Sequence, residues 1–277
     1  MIRVFVVALA FLVLTLLPLQ LIGLAFNLRL QRSIPHFYHR LICALIGVRI
    51  REIGQRSATS PVLILSNHVS WLDICVITAL APVVFIAKSE VARWPVFGWL
   101  AKLQRTIFIN RQARHQTGAA TREIAGRLLG GDAVVLFAEG TSSDGIHVLP
   151  FRSSLVGAVH HALGNSTHHT RIQVQPMSLA YVRFDGVPIG RGLRERVAWY
   201  GDAELIPHLL GVLSAGAVDV IVSWGEATAY DMSADRKAIT RHAETAVRRM
   251  TSAALRAAPP LRAAAIAMPE PKLPEPV

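Results

Sequence analysis

The chain has 277 residues, of which 52% are hydrophobic and only 17% are charged. That composition excludes a disordered protein and is more apolar than a soluble domain of this length requires. The 29 Lys and Arg residues outnumber the 18 Asp and Glu residues and give a net charge of +11, so we expect contact with anionic membrane lipid. Both cysteines, Cys43 and Cys75, lie in apolar runs, which excludes a disulfide scaffold.

The first element in chain order is an apolar segment from Val4 to Leu28 that contains no charged residue. About 20 apolar residues suffice to cross a bilayer, whereas the apolar region of a cleaved signal peptide is only roughly 7–15 residues long. The sequence therefore predicts a membrane-anchoring helix, which either spans the bilayer or lies in its interface. Several arginines follow between Arg29 and Arg51, and the positive-inside rule then predicts a catalytic domain on the cytoplasmic side of the inner membrane.

A second apolar run, from Leu41 to Val48, is too short to span a bilayer. It either lies in the membrane interface behind basic residues or packs as a core helix. We assign residues 1–54 to an N-terminal membrane anchor and interfacial helix.

Six short runs rich in β-branched residues alternate with helical stretches after Gly54. They are Val62–Leu65, Val83–Ile86, Thr106–Ile109, Ala133–Phe137, Gln173–Tyr181 and Val218–Trp224. The alternation predicts an α/β fold, with a mixed, largely buried sheet covered by helices. Residues 55–258 form this predicted domain, and the Pro-rich residues 259–277 are predicted to be a disordered tail.

The clearest candidate for a catalytic site lies where the first of these strands ends, in the stretch from Ser66 to Asp73. If His68 precedes the next helix and Asp73 lies in its first turn, the carboxylate can fold back and orient the imidazole. The other imidazole nitrogen could then accept a proton from a hydroxyl nucleophile. The alternative is a capping box from Ser70 to Asp73, in which Asp73 stabilises the helix and His68 has no chemical role.

A second candidate site follows the strand that ends at Phe137. The stretch from Ala138 to Gly145 contains two glycines and three hydroxyl side chains, at a strand end where the ligands of α/β folds collect. Turn formation explains Asp144 and Gly145, but it does not require an acid at Glu139.

These stretches resemble the glycerolipid acyltransferase family, also called the lysophosphatidate acyltransferase family. Asn67–Asp73 is similar to its first motif, a His and an Asp separated by four residues. Thr106–Arg111, Phe137–Thr141 and Val174–Met177 are similar to its other three motifs and follow in the same order. The resemblance covers about Pro61 to Trp224 and implies a membrane-bound O-acyltransferase that uses acyl-CoA or acyl carrier protein as its acyl donor, without a cofactor or metal.

The resemblance also implies roles for individual residues. His68 and Asp73 are the predicted catalytic pair, and main-chain N–H groups of the loop before the helix are candidates to stabilise the oxyanion. The predicted substrate-binding residues are Arg111, Glu139, Gly140 and Thr141. Two alternatives stay open, since Arg111 could be a solvated arginine at a strand end and Glu139 could be a turn acid bonded to local N–H groups.

The acceptor is the least determined part of the prediction. Ser142 stands where the family often has an arginine, which weakens the case for a phosphate-bearing acceptor. Thr141–Gly145, Leu149–Ser154 and Trp199–Asp202 also resemble a bacterial branch that includes acyltransferases making ornithine lipids. We rank lysophosphatidate (1-acylglycerol-3-phosphate) first as acceptor, giving phosphatidate in phospholipid biosynthesis, and lyso-ornithine lipid second.

Two other classes of function explain less of the chain. A non-catalytic basic membrane tether would account for the anchor but not for His68 and Asp73. A nucleic-acid-binding protein would account only for the charge, because the sequence has no RNA- or DNA-binding signature. We therefore expect lysophospholipid and acyl thioester substrates, and no nucleic acid partner.

Overall fold

The structure is a computed structural model, and it describes residues 2–109, 117–164, 172–214, 216–231 and 235–256. Within these ranges a central sheet is flanked by helices, as the predicted α/β fold requires. The candidate Arg111 and the predicted tail, residues 259–277, lie outside the described residues.

The elements are numbered in chain order. The strands are β1 (Val48–Ile53), β2 (Val62–Ser66), β3 (Val83–Lys88), β4 (Ile107–Ile109), β5 (Ala133–Phe137), β6 (Ile172–Phe184), β7 (Val187–Pro188), β8 (Val218–Trp224) and β9 (Thr228–Tyr230). The helices are α1 (Ile2–Ala25), α2 (Leu30–Leu45), α3 (Leu72–Leu80), α4 (Phe97–Leu103), α5 (Thr117–Leu129), α6 (Ser153–Gly164), α7 (Leu205–Ser214) and α8 (Arg236–Arg256). Short 3₁₀ helices cover Ser89–Arg93 and Arg191–Arg196.

The sheet has the strand order β1-β8-β6-β2-β5-β3-β4, with β7 and β9 paired to β6. Strands β6, β2, β5, β3 and β4 are parallel, and β8 runs antiparallel to β6. The last residues of β2 and β5, Ser66 and Phe137, are register partners. The loops that follow these two strands therefore meet at one edge of the sheet, where α/β folds place their ligands.

The six predicted strands are all present, but the sheet begins earlier than expected. Strand β1 lies within residues 1–54 and pairs in parallel with β8, from Val48 beside Val218 to Ile53 beside Ser223. Its position at the edge leaves most of its side chains exposed or half-buried, so it lacks the continuous apolar run of a buried strand. Strand β8, in contrast, is buried along its whole length.

Apolar side chains cover both faces of the sheet. On one face, residues of α2, α3 and α7 pack on strands that include β2, β5, β6 and β8. On the other face, α5, α6 and α8 pack on β2, β4, β5 and β6. Both Cys43 and Cys75 are free thiols on the first face.

The N-terminal helices pack on the domain next to the active-site edge. Helix α1 contacts α2 and α4, and α2 packs on α3. Gln20 of α1 is buried and donates hydrogen bonds to the main-chain carbonyls of Gln31 (3.2 Å) and Leu103 (2.7 Å). In the part of the chain that is described, no helix combines the length and apolarity of a membrane span, so the predicted spanning anchor is not confirmed.

Candidate active site

His68 and Asp73, the predicted catalytic pair, are in direct contact. His68 Nδ1 lies 2.7 Å from Asp73 Oδ2, and the Asp73 side chain is fully buried. Because an ionised carboxylate can only accept, Nδ1 carries the hydrogen and Nε2 keeps a free lone pair. Nε2 makes no hydrogen bond to any described residue, and His68 lines a large cavity. The imidazole is therefore arranged to take a proton from a molecule in that cavity.

Asp73 both orients His68 and closes the start of α3. Its Oδ2 also accepts from the main-chain N–H groups of Val69 (2.7 Å) and Ser70 (3.0 Å). The orienting role and the helix-stabilising role, which the sequence presented as alternatives, are thus compatible in one carboxylate. The hydroxyl half of the predicted capping box is wrong, because α3 begins at Leu72 without a side-chain cap and Ser70 Oγ is buried without a partner among the described residues.

These bonds remove two of the expected oxyanion donors. The N–H groups of Val69 and Ser70 are already held by Asp73, so they are not available to a tetrahedral oxyanion. The N–H groups of Thr141 and Ser142, on the neighbouring loop, make no hydrogen bond within the described chain. Both residues line the cavity beside His68.

The loop after β5 holds His68 from the other side. The imidazole stacks on Phe137, with ring centroids 4.0 Å apart and planes 16° from parallel. The main-chain N–H of His68 donates to Glu139 Oε2 at 3.0 Å, and its carbonyl accepts from the N–H of Ser143 at 2.8 Å. The contacts connect the loop of the first sequence motif to the loop of the third.

Glu139 lies behind the cavity wall rather than in it. The residue is 1% exposed, and its second oxygen, Oε1, accepts from the N–H of Leu149 at 2.9 Å. Burial raises the pKa of its carboxyl to about 8, against the two N–H bonds that lower it, and the nearby Asp73 also raises it. Gly140 and Thr141 do line the cavity, whereas Glu139 is not among its lining residues. The contacts favour the alternative of a turn acid bonded to local N–H groups.

Strand β6 contributes residues that the sequence analysis missed. Asn67 donates to the carbonyl of Leu179 and accepts from its N–H, both at 2.9 Å, which ties the His68 loop to β6. The hydroxyl of Tyr181 donates to Asp73 Oδ1 at 2.6 Å. Asn67 stands inside the first motif and could have been singled out, but Tyr181 lies in a continuous apolar run that gives no signal of a polar role.

The cavity beside His68 has a volume of about 760 Å³, within the range of roughly 300–1,000 Å³ that is usual for ligand sites. Helices α1, α2, α3, α4 and α7 supply half of its lining residues, largely with apolar side chains. His68, Gly140, Thr141 and Ser142 form a polar part of that wall. An apolar cavity that contains an oriented base suits a fatty acyl chain whose reactive end lies at His68.

The remaining site predictions concern Arg111 and metal ligands. Arg111 lies outside the described residues, so its role in binding stays a prediction. Within the described ranges, no group of three His, Cys, Asp or Glu side chains is placed to hold a metal ion.

The fold and the paired histidine and aspartate are those expected of an acyltransferase. A family model described as Acyltransferase matches residues 47–180, and the chain belongs to this family. Lyso-ornithine lipid O-acyltransferase of Brucella abortus (strain 2308) is 47% identical to it over 92% of this chain and 96% of that protein. The protein of the same name from Rhizobium meliloti (strain 1021) is 44% identical over 88% of this chain and 83% of that one. This protein is therefore an O-acyltransferase.

A solved structure supports the fold independently. The crystal structure of the 1-acyl-sn-glycerophosphate (LPA) acyltransferase PlsC from Thermotoga maritima superposes with a TM-score of 0.55. The match covers 90% of this chain and 94% of that chain at 18% sequence identity.

Proposed function

We propose that the protein transfers a fatty acyl group from an acyl thioester to the hydroxyl of lyso-ornithine lipid. This order of acceptors reverses the ranking from the sequence. The observation that carries the proposal is the likeness to two lyso-ornithine lipid O-acyltransferases over at least 88% of this chain. Lysophosphatidate is the second candidate.

The chemistry follows from the contacts of His68. Nε2 takes the proton from the acceptor hydroxyl while the hydroxyl oxygen attacks the thioester carbonyl. The Asp73 carboxylate stabilises the imidazolium that forms, through the 2.7 Å contact with Nδ1. When the tetrahedral intermediate collapses, the C–S bond breaks, an ester remains, and the thiolate receives the proton from His68. No acyl-enzyme is required.

We assign the oxyanion site to the loop after β5. The carbonyl oxygen becomes negatively charged during the attack, and N–H donors aimed at it stabilise the transition state. The N–H groups of Thr141 and Ser142 fit this role because both residues line the cavity and both donors are unpaired within the described chain. The positive φ of Gly140, 76°, turns the main chain at this point.

The charge of the cavity wall supports a zwitterionic acceptor. A phosphomonoester carries about −1.5 to −2 charges near neutral pH, and arginine is the side chain best suited to bind it. Among the described lining residues, Lys88 is the one Lys or Arg, and Ser142 occupies the position that is often arginine in the family. The ornithine head group carries one positive and one negative charge and does not need that arginine.

We further propose that the enzyme works at the cytoplasmic face of the inner membrane, with acyl-CoA or acyl carrier protein as donor. Apolar side chains on α1, just after it and on α4 are exposed, among them Leu14 and Phe26 at 72% each and the cavity-lining Trp99 at 45%. Tryptophans favour the membrane–water interface, and the net charge of +11 favours anionic lipid. A lysolipid could then reach the cavity from the bilayer.

Thiol release from acyl-CoA tests the reaction and the acceptor together. Purified full-length enzyme in vesicles is given lyso-ornithine lipid, lysophosphatidate or no acceptor, and the lipid product is identified by mass spectrometry. We expect rapid turnover with lyso-ornithine lipid and little with lysophosphatidate. The reverse preference would restore the acceptor ranked first by sequence, and no acceptor-dependent release with either donor, acyl-CoA or acyl carrier protein, would overturn the proposal.

Substitution of Arg111 provides a second test of which acceptor the enzyme uses. If the acceptor is lyso-ornithine lipid, Arg111→Ala should change KM for it less than threefold, because no phosphate has to be bound. For lysophosphatidate, the loss of a charge-assisted hydrogen bond should raise KM roughly tenfold or more. Arg122→Ala, on α5, serves as the control for a general loss of positive charge.

A further inference from the structure

Asp73 receives hydrogen bonds on both of its carboxylate oxygens. Three donors converge on Oδ2, namely His68 Nδ1 and the main-chain N–H groups of Val69 and Ser70. All three belong to the motif itself. Oδ1 accepts from Tyr181, which lies 108 residues further along the chain on β6, at 2.6 Å.

The Tyr181 bond restrains the one rotation that the motif leaves free. A carboxylate held mainly through one oxygen can turn about its Cβ–Cγ bond, and such a turn would move Oδ2 away from Nδ1. A second donor on Oδ1 opposes that turn. It also satisfies an oxygen that is buried from water, since Asp73 is 0% and Tyr181 2% exposed, and such an atom without a partner is costly.

Tyr181 is itself held firmly at this point of β6. The register between β6 and β8 shifts between Tyr181 and Arg183, and bulges of this kind re-aim side chains near active sites. The Arg194 guanidinium donates to the carbonyls of Gly145 (3.0 Å) and Tyr181 (3.4 Å). Two residues earlier, the main chain of Leu179 is bonded to Asn67. The main chain that carries the Tyr181 phenol is therefore held in place relative to the His68 loop.

The phenol also remains a donor in the working enzyme. Burial, together with the neighbouring Asp73, raises the pKa of Tyr181 well above its ordinary value, so its hydroxyl keeps its proton. The other titratable groups that interact with Asp73 or Tyr181 are Cys75, Cys43 and Glu139. Burial raises the pKa of both thiols, that of Cys43 to about 12, so neither places a second negative charge beside the carboxylate.

We propose that Tyr181 is a positioning residue for acyl transfer: it holds Asp73, and through Asp73 the imidazole of His68, in the reactive orientation. The role rests on the proposed function, because it requires His68 to act as the base. Tyr181 acts at a distance from the reacting atoms, so its loss should affect the rate of the chemical step rather than the binding of either substrate.

Tyr181→Phe removes the hydroxyl and keeps the ring. We expect kcat to fall about tenfold, equivalent to one hydrogen bond of ordinary strength, while KM for the acyl donor and for the acceptor stays within about twofold. Tyr230→Phe, another fully buried tyrosine on the opposite face of the sheet, is the matched control and should keep kcat. A Tyr181→Phe enzyme with wild-type kcat would overturn the proposal.

A double-mutant cycle separates this role from a structural one. If Tyr181 works through Asp73, adding Tyr181→Phe to Asp73→Asn should lower kcat less than threefold further, whereas independent effects would multiply. A second readout needs no turnover: the proton resonance of His68 Nδ1–H should shift in Tyr181→Phe and stay in place in Tyr230→Phe. Multiplying effects, or an unmoved resonance, would contradict the role.

His68→Ala, measured in the same series, distinguishes a failure of the proposed function from a failure of the Tyr181 role alone. A fully active His68→Ala enzyme would remove the proposed function and the Tyr181 role together. An inactive His68→Ala enzyme beside a fully active Tyr181→Phe enzyme would remove the Tyr181 role alone.

Discussion

The side chain of His68, the proposed base, makes few contacts that stabilise the fold. Its side chain is 19% exposed and its ring bonds are limited to Asp73 and the stack on Phe137. His68→Ala should therefore lower kcat/KM by roughly 10²–10⁴, the usual contribution of a general base, with little change in thermal stability. Thiol release and thermal melting measure the two effects, and His147→Ala, an exposed histidine paired with Asp144, is the control. Near wild-type turnover in His68→Ala would exclude it as the base.

Glu139 should make the stability of the fold depend on pH. Its pKa is about 8 in the folded chain against an ordinary value of 4.5, so the folded state binds its proton more tightly than the unfolded state does. Its contribution is therefore fully present below about pH 4.5 and is lost as the pH rises through about 8. One pKa unit corresponds to about 1.4 kcal/mol, so the loss is on the order of a few kcal/mol.

Glu139→Gln mimics the protonated acid and cannot ionise. Between pH 6 and pH 9 we expect the melting temperature of the wild type to fall more than that of Glu139→Gln, whatever the variant's absolute stability. Glu123→Gln, at an i,i+4 pair with Arg127 on α5, controls for the loss of an acid. Parallel pH curves for wild type and Glu139→Gln would contradict the raised pKa.

At the scale of single residues, the sequence predicted the contact within the first motif but not the contacts that the motif makes with distant residues. The offset between His68 and Asp73 implies their contact, because a helix start fixes where both side chains point. The bond from Tyr181 to Asp73 joins two positions 108 residues apart, and no local pattern encodes it. Glu139 illustrates a third case: its residue type is conspicuous, but only packing shows that the carboxylate faces the main chain.

At the scale of elements, the loops that follow β2 and β5 pack closely against each other at Gly145. Its φ of 72° lies in the left-handed region, and a Cβ atom added there would lie 2.8 Å from Val69 Cγ1. Val69 donates its N–H to Asp73, so a displaced Val69 disturbs the catalytic pair. Gly145→Ala should destabilise the fold by about 1–2 kcal/mol and lower kcat several-fold.

Gly186→Ala is the matched control for this prediction. Gly186 has a φ of 79°, but no atom lies within 4 Å of its added Cβ. The variant should lose a similar amount of stability in chemical unfolding and keep wild-type kcat. Equal losses of kcat in both variants would show that the left-handed strain, rather than the contact with Val69, affects the site.

The elements also differ in how well local sequence predicts them. Buried strands such as β5 (Ala133–Phe137) and β8 (Val218–Trp224) have the predicted limits, because both are short runs rich in valine and other apolar residues. The edge strand β1 alternates arginines with isoleucines, and the sequence analysis placed it in the anchor segment. Its place is decided by pairing with β8, a tertiary contact that composition does not show.

At the scale of the whole molecule, the distribution of arginines predicts how the protein is oriented at the membrane. Arginines from Arg29 to Arg51 follow the apolar segment, whereas Arg3 alone precedes it, and flanking basic residues are retained in the cytoplasm. Residues of α1, α2, α4 and α7 line the cavity, so an N-terminal segment held at the inner leaflet would keep the proposed active site within reach of lysolipids and cytoplasmic acyl donors.

Reporters fused after Val277 test this orientation. We expect green fluorescent protein at this position to fluoresce in the membrane fraction, and alkaline phosphatase at the same position to be inactive, because it folds only after export. Alkaline phosphatase carrying its own signal peptide, expressed in the same cells, shows that export works. Replacing Arg29 and Arg40 with asparagine should weaken the orientation, because it removes positive charge that favours the cytoplasmic side. Strong phosphatase activity from the unaltered fusion, or a mature chain that lacks Val4 to Leu28, would show that the segment acts as an export signal instead.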